Sequence, residues 1–229
     1  MNSLKKGIII LISIIAIVGI VVISLIFFKG KNNVENTNEP NNSDNTSTNK
    51  VVSITDNDIY YIKINGTKFK AGDKVSNVSK IGLKQKEKDL EKIIPSNRYL
   101  LATSIINDNN KDIFKVVPLN STAETIKYSD AVFGGIELGD VNYNKISEET
   151  LSFDFEFIGG IKLGSTYDEI VKVFGEPDFK TEIKADEKLN RLAYTTYTYS
   201  SGYKGFKFII DESGKTAKIE WNNYDYNEK

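Results

Sequence analysis

The sequence predicts an α+β fold in which short helices pack on antiparallel sheet, preceded by one transmembrane helix. Three observations support this prediction. Residues 7–28 are uncharged and almost entirely apolar. Residues 159–178, GGIKLGSTYDEIVKVFGEPD, contain the start and the end of one short amphipathic helix. Much of residues 191–220 alternates apolar and polar side chains, which is typical of strands with one buried face.

The first element is a membrane anchor, residues 7–28. A helix of this length spans about 33 Å, enough to cross a hydrocarbon core of about 30 Å. A cleaved signal peptide is the alternative, but its apolar region is usually shorter and ends in a small-residue cleavage site. Residues 1–6 then form a short cytoplasmic tail, because the positive charge at the amino terminus favours the inside. We therefore predict a single-pass cell-membrane protein with an extracytoplasmic C-terminal part.

A polar linker, residues 29–50, follows the anchor. It is rich in Asn, Ser and Thr, and it offers too little apolar surface to offset the entropy of ordering. We expect a disordered tether. The rest of the chain divides into an N-terminal α+β unit, residues 51–150, and a C-terminal α+β unit, residues 151–229.

The best-specified helix begins after Thr166. Thr166 and Glu169 have the spacing of a capping box, in which each satisfies a backbone N–H of the other. Gly175 can adopt the left-handed conformation that closes a helix, and Pro177 prevents the helix from resuming. Its apolar side consists of Tyr167, Ile170, Val171 and Phe174.

Strands flank this helix on both sides. Upstream, residues 151–157 alternate apolar and polar side chains, Gly160 ends that strand, and Gly164 lies in the turn before the helix. Downstream, the last two strands form a hairpin with Gly214 in its turn. The three downstream strands cover residues 191–200, 204–210 and 215–220.

The segment 158–221 resembles the SmpA/OmlA type of small extracytoplasmic domain and its beta-lactamase-inhibitor-like relatives. The shared pattern is a leucine-glycine turn, a short helix, a Gly-x-Pro stop and a closing hairpin with Asp-x-x-Gly-Lys. The resemblance implies helices packed on an antiparallel sheet and a protein-binding or assembly module without a catalytic residue. The chain departs from that pattern because it has no lipobox cysteine, and residues 51–150 are not explained by it.

Residues 64–82 repeat the same pattern more weakly. Gly72 corresponds to Gly164, Asp73 to the helix cap and Gly82 to the stop, and a hairpin over residues 99–117 follows. Two tandem helix-plus-strands units are the preferred architecture. The alternative is that a common turn-helix-stop pattern recurs by chance.

The composition excludes several classes of chemistry. The chain has no histidine and no cysteine, which rules out Cys–His and Ser–His catalysis, disulfides and zinc sites built on these residues. Residues 51–229 carry 25 basic and 28 acidic side chains, and this balance does not favour nucleic acid. We predict no metal, no cofactor and no nucleic-acid partner.

Two patterns are compatible with catalysis, and each has a simpler structural explanation. Asp154 and Glu156 lie two apart on one strand face, close to the spacing of paired glycosidase carboxylates, but they also complete the polar side of a strand. Ser201 and Lys204 match the S-x-x-K pattern of serine acyl enzymes but fall in a loop between strands. We predict no catalytic residue. A cell-wall-active enzyme that uses these groups is the alternative.

The candidate binding residues are aromatic. Tyrosine and tryptophan are enriched in protein interfaces, so an exposed cluster would mark a binding face. Tyrosine also suits half-buried strands, so part of the cluster completes the core in the alternative interpretation. The candidates are Tyr194, Tyr197, Tyr199, Tyr203, Trp221 and Tyr224.

The layout of anchor, linker and folded units predicts a membrane-tethered extracytoplasmic binding module without catalytic activity. Its expected partners are the membrane, through residues 7–28, and an envelope protein or other envelope component. A regulatory subunit that acts through its transmembrane helix is a further alternative.

Overall fold

The computed structural model describes residues 51–224. Antiparallel strands dominate this part of the chain, and its helices are few and short. The strands are β1 (Tyr61–Ile64), β2 (Thr67–Lys70), β3 (Lys84–Gln85), β4 (Ile93–Ile94), β5 (Thr103–Ile106), β6 (Asp112–Leu119), β7 (Ile126–Lys127), β8 (Val132–Gly139), β9 (Phe155–Glu156), β10 (Phe179–Ile183), β11 (Tyr194–Ser201), β12 (Lys204–Asp211) and β13 (Thr216–Asn223). The α-helices are α1 (Glu148–Leu151) and α2 (Tyr167–Phe174), and short 3₁₀ helices cover Asn57–Ile59, Val75–Ile81, Glu87–Asp89, Tyr128–Asp130, Tyr143–Lys145, Ile158–Gly160 and Glu187–Leu189.

The main sheet has eight strands in the order β10-β11-β12-β13-β8-β6-β5-β3. Strands β3, β5, β6 and β8 come from residues 84–139, and strands β10 to β13 from residues 179–223. The last strand of each set lies at the centre, where β8 pairs with β13 and Glu137 lies opposite Glu220. The residues on either side of position 150 therefore build one continuous sheet.

Two smaller sheets complete the strand layout. One has the order β2-β1-β9, and the other pairs β4 with β7. The first of these joins the two halves of the sequence again, because β9 follows residue 150 and pairs with β1 through Ile64 and Phe155.

One face of the main sheet, called the inner face below, is buried. Helix α2, the 3₁₀ helix Val75–Ile81 and the β2-β1-β9 sheet supply the side chains that share its core. The ring of Phe174 lies 5.0 Å from that of Phe206 and 5.2 Å from that of Phe208. Tyr60, just before β1, stacks on Phe206 at 5.1 Å. Burial of these aromatic rings is the main contribution to stability on this side of the sheet.

Helix α2 has the local interactions that its sequence specifies. Thr166 Oγ1 accepts a hydrogen bond from the backbone N–H of Glu169, and Glu169 Oε2 accepts one from the N–H of Thr166 at 2.8 Å. Ile170 and Phe174 are buried. The helix ends at Gly175 as expected, and Pro177 follows two residues later, but Gly175 has φ of +76° with ψ of −162° and so does not adopt the left-handed helical conformation. Gly160, Gly164 and Gly214 also have positive φ.

The prediction of a strand over residues 151–157 is wrong for the first half of that segment. Leu151 ends helix α1 and its side chain is exposed. The helix forms because Ser147 caps it and because Thr150 Oγ1 donates to Ile113 O at 2.9 Å, which fixes it on β6. Only Phe155–Glu156 forms a strand.

The weaker copy of the turn-helix-stop pattern, residues 64–82, forms a 3₁₀ helix rather than an α-helix. Lys74 is its N-cap and makes no side-chain cap hydrogen bond. Asp73, the expected cap, instead accepts a hydrogen bond from the N–H of Lys70. The helix ends as expected at Gly82, where φ is +73°.

Within residues 51–224 no helix is both long and apolar enough to cross a bilayer. The segments expected to form the tail, the anchor and the linker, residues 1–50, lie outside the described residues.

Candidate interaction surface

The second face of the main sheet, called the outer face, has a row of charged side chains across its four central strands. Lys207 lies opposite Glu220, Glu220 opposite Glu137, and Glu137 opposite Lys115. Directly opposed residues of an antiparallel pair project from the same face. These four residues and Lys218 are called the charge ladder below.

Lys218 resolves an electrostatic conflict inside the charge ladder. Glu137 and Glu220 are directly opposed, and like charges in that position destabilise a sheet. Lys218 Nζ lies 2.6 Å from Glu220 Oε1 and 3.2 Å from Glu137 Oε2, so it bridges the two carboxylates. Lys207 Nζ adds a 2.6 Å contact to the other oxygen of Glu220.

The contacts within the charge ladder shift the pKa values of Glu220 and Lys218. Partial burial opposes ionisation of Glu220, but hydrogen bonds from Lys207 and Lys218 outweigh it and lower the pKa of its carboxyl. Burial also opposes the charge on Lys218, yet hydrogen bonds and charge from Glu220 and Glu137 raise the pKa of its ammonium. Glu220 and Lys218 are therefore both ionised at neutral pH.

Replacing Lys218 by methionine should destabilise the fold by about 1–3 kcal/mol at pH 7, because it removes the charged hydrogen-bond partner of two opposed carboxylates. In the wild type, Glu220 has a lowered pKa, so its stabilising contribution is present above its unfolded pKa and is lost as the pH falls. In the variant, protonation relieves carboxylate repulsion. The loss measured by urea unfolding should therefore shrink as the pH falls below about 4.5, the ordinary pKa of a glutamate carboxyl.

The matched control is Lys84→Met. Lys84 Nζ lies 4.0 Å from Asp108 Oδ1 and both side chains are well exposed, so this change should cost less than about 1 kcal/mol. Equal losses in the two variants, or a Lys218→Met loss that grows on acidification, would contradict the bridging role.

An aromatic pair lies beside the charge ladder. The rings of Tyr99 and Tyr224 stack with their centroids 4.3 Å apart and their planes 6° from parallel. Tyr224 directly follows β13 and continues its alternation, which places it on the outer face with Glu220. Burial raises the pKa of Tyr224 to about 12, and the charges of Tyr99, Glu137 and Glu220 add to the effect. Tyr99 is 52% exposed, so the pair has a solvent-facing ring.

A cleft of about 290 Å³ borders the charge ladder in the direction of the β13 amino terminus. Strand residues from β6, β8 and β13 form one wall, and the segment that leads into helix α1 forms the other. Its lining includes Lys115, Glu137, Lys145, Ile146, Thr150 and Lys218. The outer face therefore combines a cleft, a charge ladder and an aromatic pair.

Three of the six aromatic candidates lie in the core and cannot form an exposed binding face. Tyr197, Tyr199 and Trp221 are 9%, 2% and 2% exposed. They project from the inner face, where Tyr197 stacks on Tyr167 at 4.3 Å and Tyr199 donates a hydrogen bond to Gly175 O. This corrects the expectation for these three residues.

The other three candidates remain accessible to different degrees. Tyr194 lies opposite Ile183 and Asp211 and is half-buried. Tyr203 is 71% exposed in the β11–β12 turn, and its carbonyl oxygen accepts from the N–H of Tyr224 at 3.3 Å. Only Tyr224 combines the outer face with an aromatic neighbour among these three.

No protein-family model, curated protein or solved structure matches this chain. The resemblance to the SmpA/OmlA type of domain therefore rests on its motif residues alone.

The residues considered for catalysis are not assembled into a site. Asp154 is exposed, whereas Glu156 is held by Lys63 Nζ at 2.6 Å. Ser201 and Lys204 oppose each other at the end of the β11–β12 hairpin. None of the four lines the cleft beside the charge ladder. Within residues 51–224, no group of three or more acidic side chains is arranged to hold a metal ion.

Sequence reasoning missed Tyr99 and the charge ladder. The alternation in β13 does show that Lys218 and Glu220 share a face opposite to Ile219 and Trp221. No local signal shows that β13 pairs with β8, and that pairing is what brings Glu137 to Lys218.

Proposed function

We propose that this chain is a membrane-tethered extracytoplasmic binding module and that its outer face binds a protein of the cell envelope. The single observation that carries the proposal is the contrast between the two faces of the main sheet. The inner face is covered by helix α2 and the β2-β1-β9 sheet, whereas the outer face presents the charge ladder and the aromatic pair side by side.

The chemistry of the outer face suits an acidic group next to an apolar side chain. The charge ladder has three lysines and two glutamates, so it carries one excess positive charge. Lys115 is only loosely paired, with its Nζ 3.9 Å from Glu137 Oε2, and its side chain is about half exposed. The exposed ring of Tyr99 offers an apolar platform of the kind found at interface hot spots. A partner segment with a carboxylate beside an aliphatic or aromatic residue complements both.

The two halves of the sheet support an origin in tandem copies. Each half supplies four strands, and each contains a helical segment that follows a glycine with φ of +86°, Gly72 or Gly164. We propose that residues 51–150 and 151–229 are tandem copies of one α+β unit, joined through β8 and β13, and that the second copy is of the SmpA/OmlA type. Residues 7–28 then anchor the module in the cell membrane and residues 29–50 tether it.

The proposal is tested by photo-crosslinking in the envelope of the producing cells. A full-length chain with a photo-reactive amino acid in place of Tyr99 should give one discrete heterologous protein adduct. The crosslinked partner peptide should contain a carboxylate next to an apolar residue. The same amino acid in place of Lys68, which is exposed on β2 away from the outer face, should not give that adduct.

Reversing the charge of Lys115 distinguishes specific docking on the outer face from non-specific association. Lys115→Glu should abolish the Tyr99 adduct, whereas Lys68→Glu, which changes the net charge equally, should leave it intact. Failure of Tyr99 to crosslink to another protein, or equal adducts from both positions, would overturn the proposal.

A further inference from the structure

Strand β10 is the outermost strand at one end of the main sheet. It pairs with β11 on one side only, and four of its five residues are exposed. In an antiparallel strand, alternate backbone N–H and C=O groups point away from the existing partner. An edge with unsatisfied groups is a template for another strand. The opposite end of the sheet, β3, has only two residues and offers much less.

The sequence of β10 is complementary to itself in the antiparallel direction. The strand reads Phe-Lys-Thr-Glu-Ile with Thr181 at its centre. If two copies pair about Thr181, Lys180 of each copy lies opposite Glu182 of the other, and Phe179 lies opposite Ile183. Both kinds of cross-strand pair stabilise sheets.

The two faces of β10 are suited to this arrangement. Lys180 lies opposite Tyr197 and so projects on the inner-face side, together with Glu182. Lys180 Nζ already lies 2.8 Å from Glu182 Oε1 within the strand, and this hydrogen bond lowers the pKa of the Glu182 carboxyl. Pairing with a second copy would join two such ion pairs into one network. Phe179, which is exposed, would gain an apolar neighbour on the other side.

Neighbouring registers are excluded by charge. A shift of the register by two residues in one direction places Lys180 opposite the second copy's Lys180 and Glu182 opposite Asp178. A shift in the other direction places Glu182 opposite Glu182 and Lys180 opposite Lys184. Like charges directly opposed destabilise a sheet. Charged side chains on an edge strand usually prevent pairing with other chains, but on β10 Lys180 and Glu182 favour a single register.

We propose that two copies of this chain associate through β10, antiparallel about Thr181, to form one continuous sheet across the dimer. The partner is a second copy rather than another protein because the strand supplies the complement of each of its own side chains. The contact is short, so the dimer is of modest affinity compared with standard interfaces. It leaves the outer face free, and it does not depend on what the outer face binds.

Single cysteines test the register directly, because the chain has no cysteine of its own. In the proposed dimer the two Thr181 Cα atoms lie about 4.5–5.5 Å apart, within the range that a disulfide bridges. The full-length Thr181→Cys variant should form a covalent dimer under mild oxidant that dithiothreitol reverses. Phe179→Cys and Ile183→Cys should each stay monomeric, because their own copies lie about 13 Å apart. A mixture of the two should form a covalent heterodimer.

Charge substitutions supply the specificity control. Lys180→Glu in the Thr181→Cys background opposes Glu to Glu and should reduce the disulfide yield several-fold. Adding Glu182→Lys reverses every pair and should restore the yield. All five positions are on an edge strand with exposed or half-buried side chains, so folding is unaffected. A Thr181→Cys variant that remains monomeric, equal crosslinking by all three single cysteines, or failure of the charge swap to restore the yield would each overturn the proposal.

Discussion

Replacing Gly139 by alanine is expected to lower the free energy of unfolding by about 4 kcal/mol or more, which is in the range of exceptional single substitutions. Gly139 ends β8 with φ of +92°, and a Cβ there would lie 2.1 Å from the carbonyl oxygen of Ala217. That oxygen belongs to β13 and accepts the N–H of Asp140. The clash is therefore with backbone at the centre of the main sheet. Urea unfolding followed by the fluorescence of Trp221, the only tryptophan, measures the effect.

Gly214→Ala is the matched control. Gly214 also has a positive φ, +76°, but a Cβ there would meet no atom within 4 Å. Its cost should be the conformational strain alone, about 1–2 kcal/mol. The difference between the two variants isolates the close approach of β8 to β13. If both variants lost the same stability, the tight contact at Gly139 would be refuted.

Phe174→Ala is expected to destabilise the chain by about 3–5 kcal/mol, the usual cost of deleting a buried phenylalanine ring. Phe174 is 4% exposed and its ring contacts those of Tyr199, Phe206 and Phe208. Its ring and the hydrogen bond from Tyr199 to Gly175 O together fix the end of helix α2 to the inner face. The same urea unfolding measures the loss. If the variant still unfolds in one step, the slope of its unfolding free energy against urea concentration should be unchanged.

Lys172→Ala controls for helix propensity on the same element. Lys172 is exposed on helix α2, and alanine is at least as good a helix former as lysine, so stability should change by less than about 0.5 kcal/mol. A small loss in Phe174→Ala, comparable to that in Lys172→Ala, would show that helix α2 does not depend on this packing.

Local features were the predictable ones. Helix α2 could be placed from its sequence because the Thr166–Glu169 capping box and the Gly175 stop act within a few residues. The hairpins on either side of Gly214 and of residues 107–111 follow from short-range turn chemistry in the same way. The strand expected at residue 151 failed because a tertiary hydrogen bond, from Thr150 to the β6 backbone, favours a helical turn there.

Long-range pairing was not predictable from one sequence. Tyr197 and Tyr199 are two residues apart on β11 and therefore share a face of the strand, but alternation alone does not say which face other elements cover. Trp221 could have been assigned to the core, because it alternates with Glu220 and Lys218 on β13. The stacking of Tyr99 on Tyr224 could not have been predicted from the sequence, because the two rings meet only after both halves of the sheet have joined.

The central position of β13 has a consequence for the order of events during synthesis. Strand β8 is synthesised long before β13 leaves the ribosome. Until then, the backbone N–H and C=O groups along the β8 edge of the first half of the main sheet have no partner strand. Contacts between residues so distant in the chain form slowly, and a waiting edge is prone to pair with other chains. A chain that stops before residue 216 would retain that edge permanently. Premature termination near the carboxyl end should thus be more damaging to solubility than the small number of lost residues suggests.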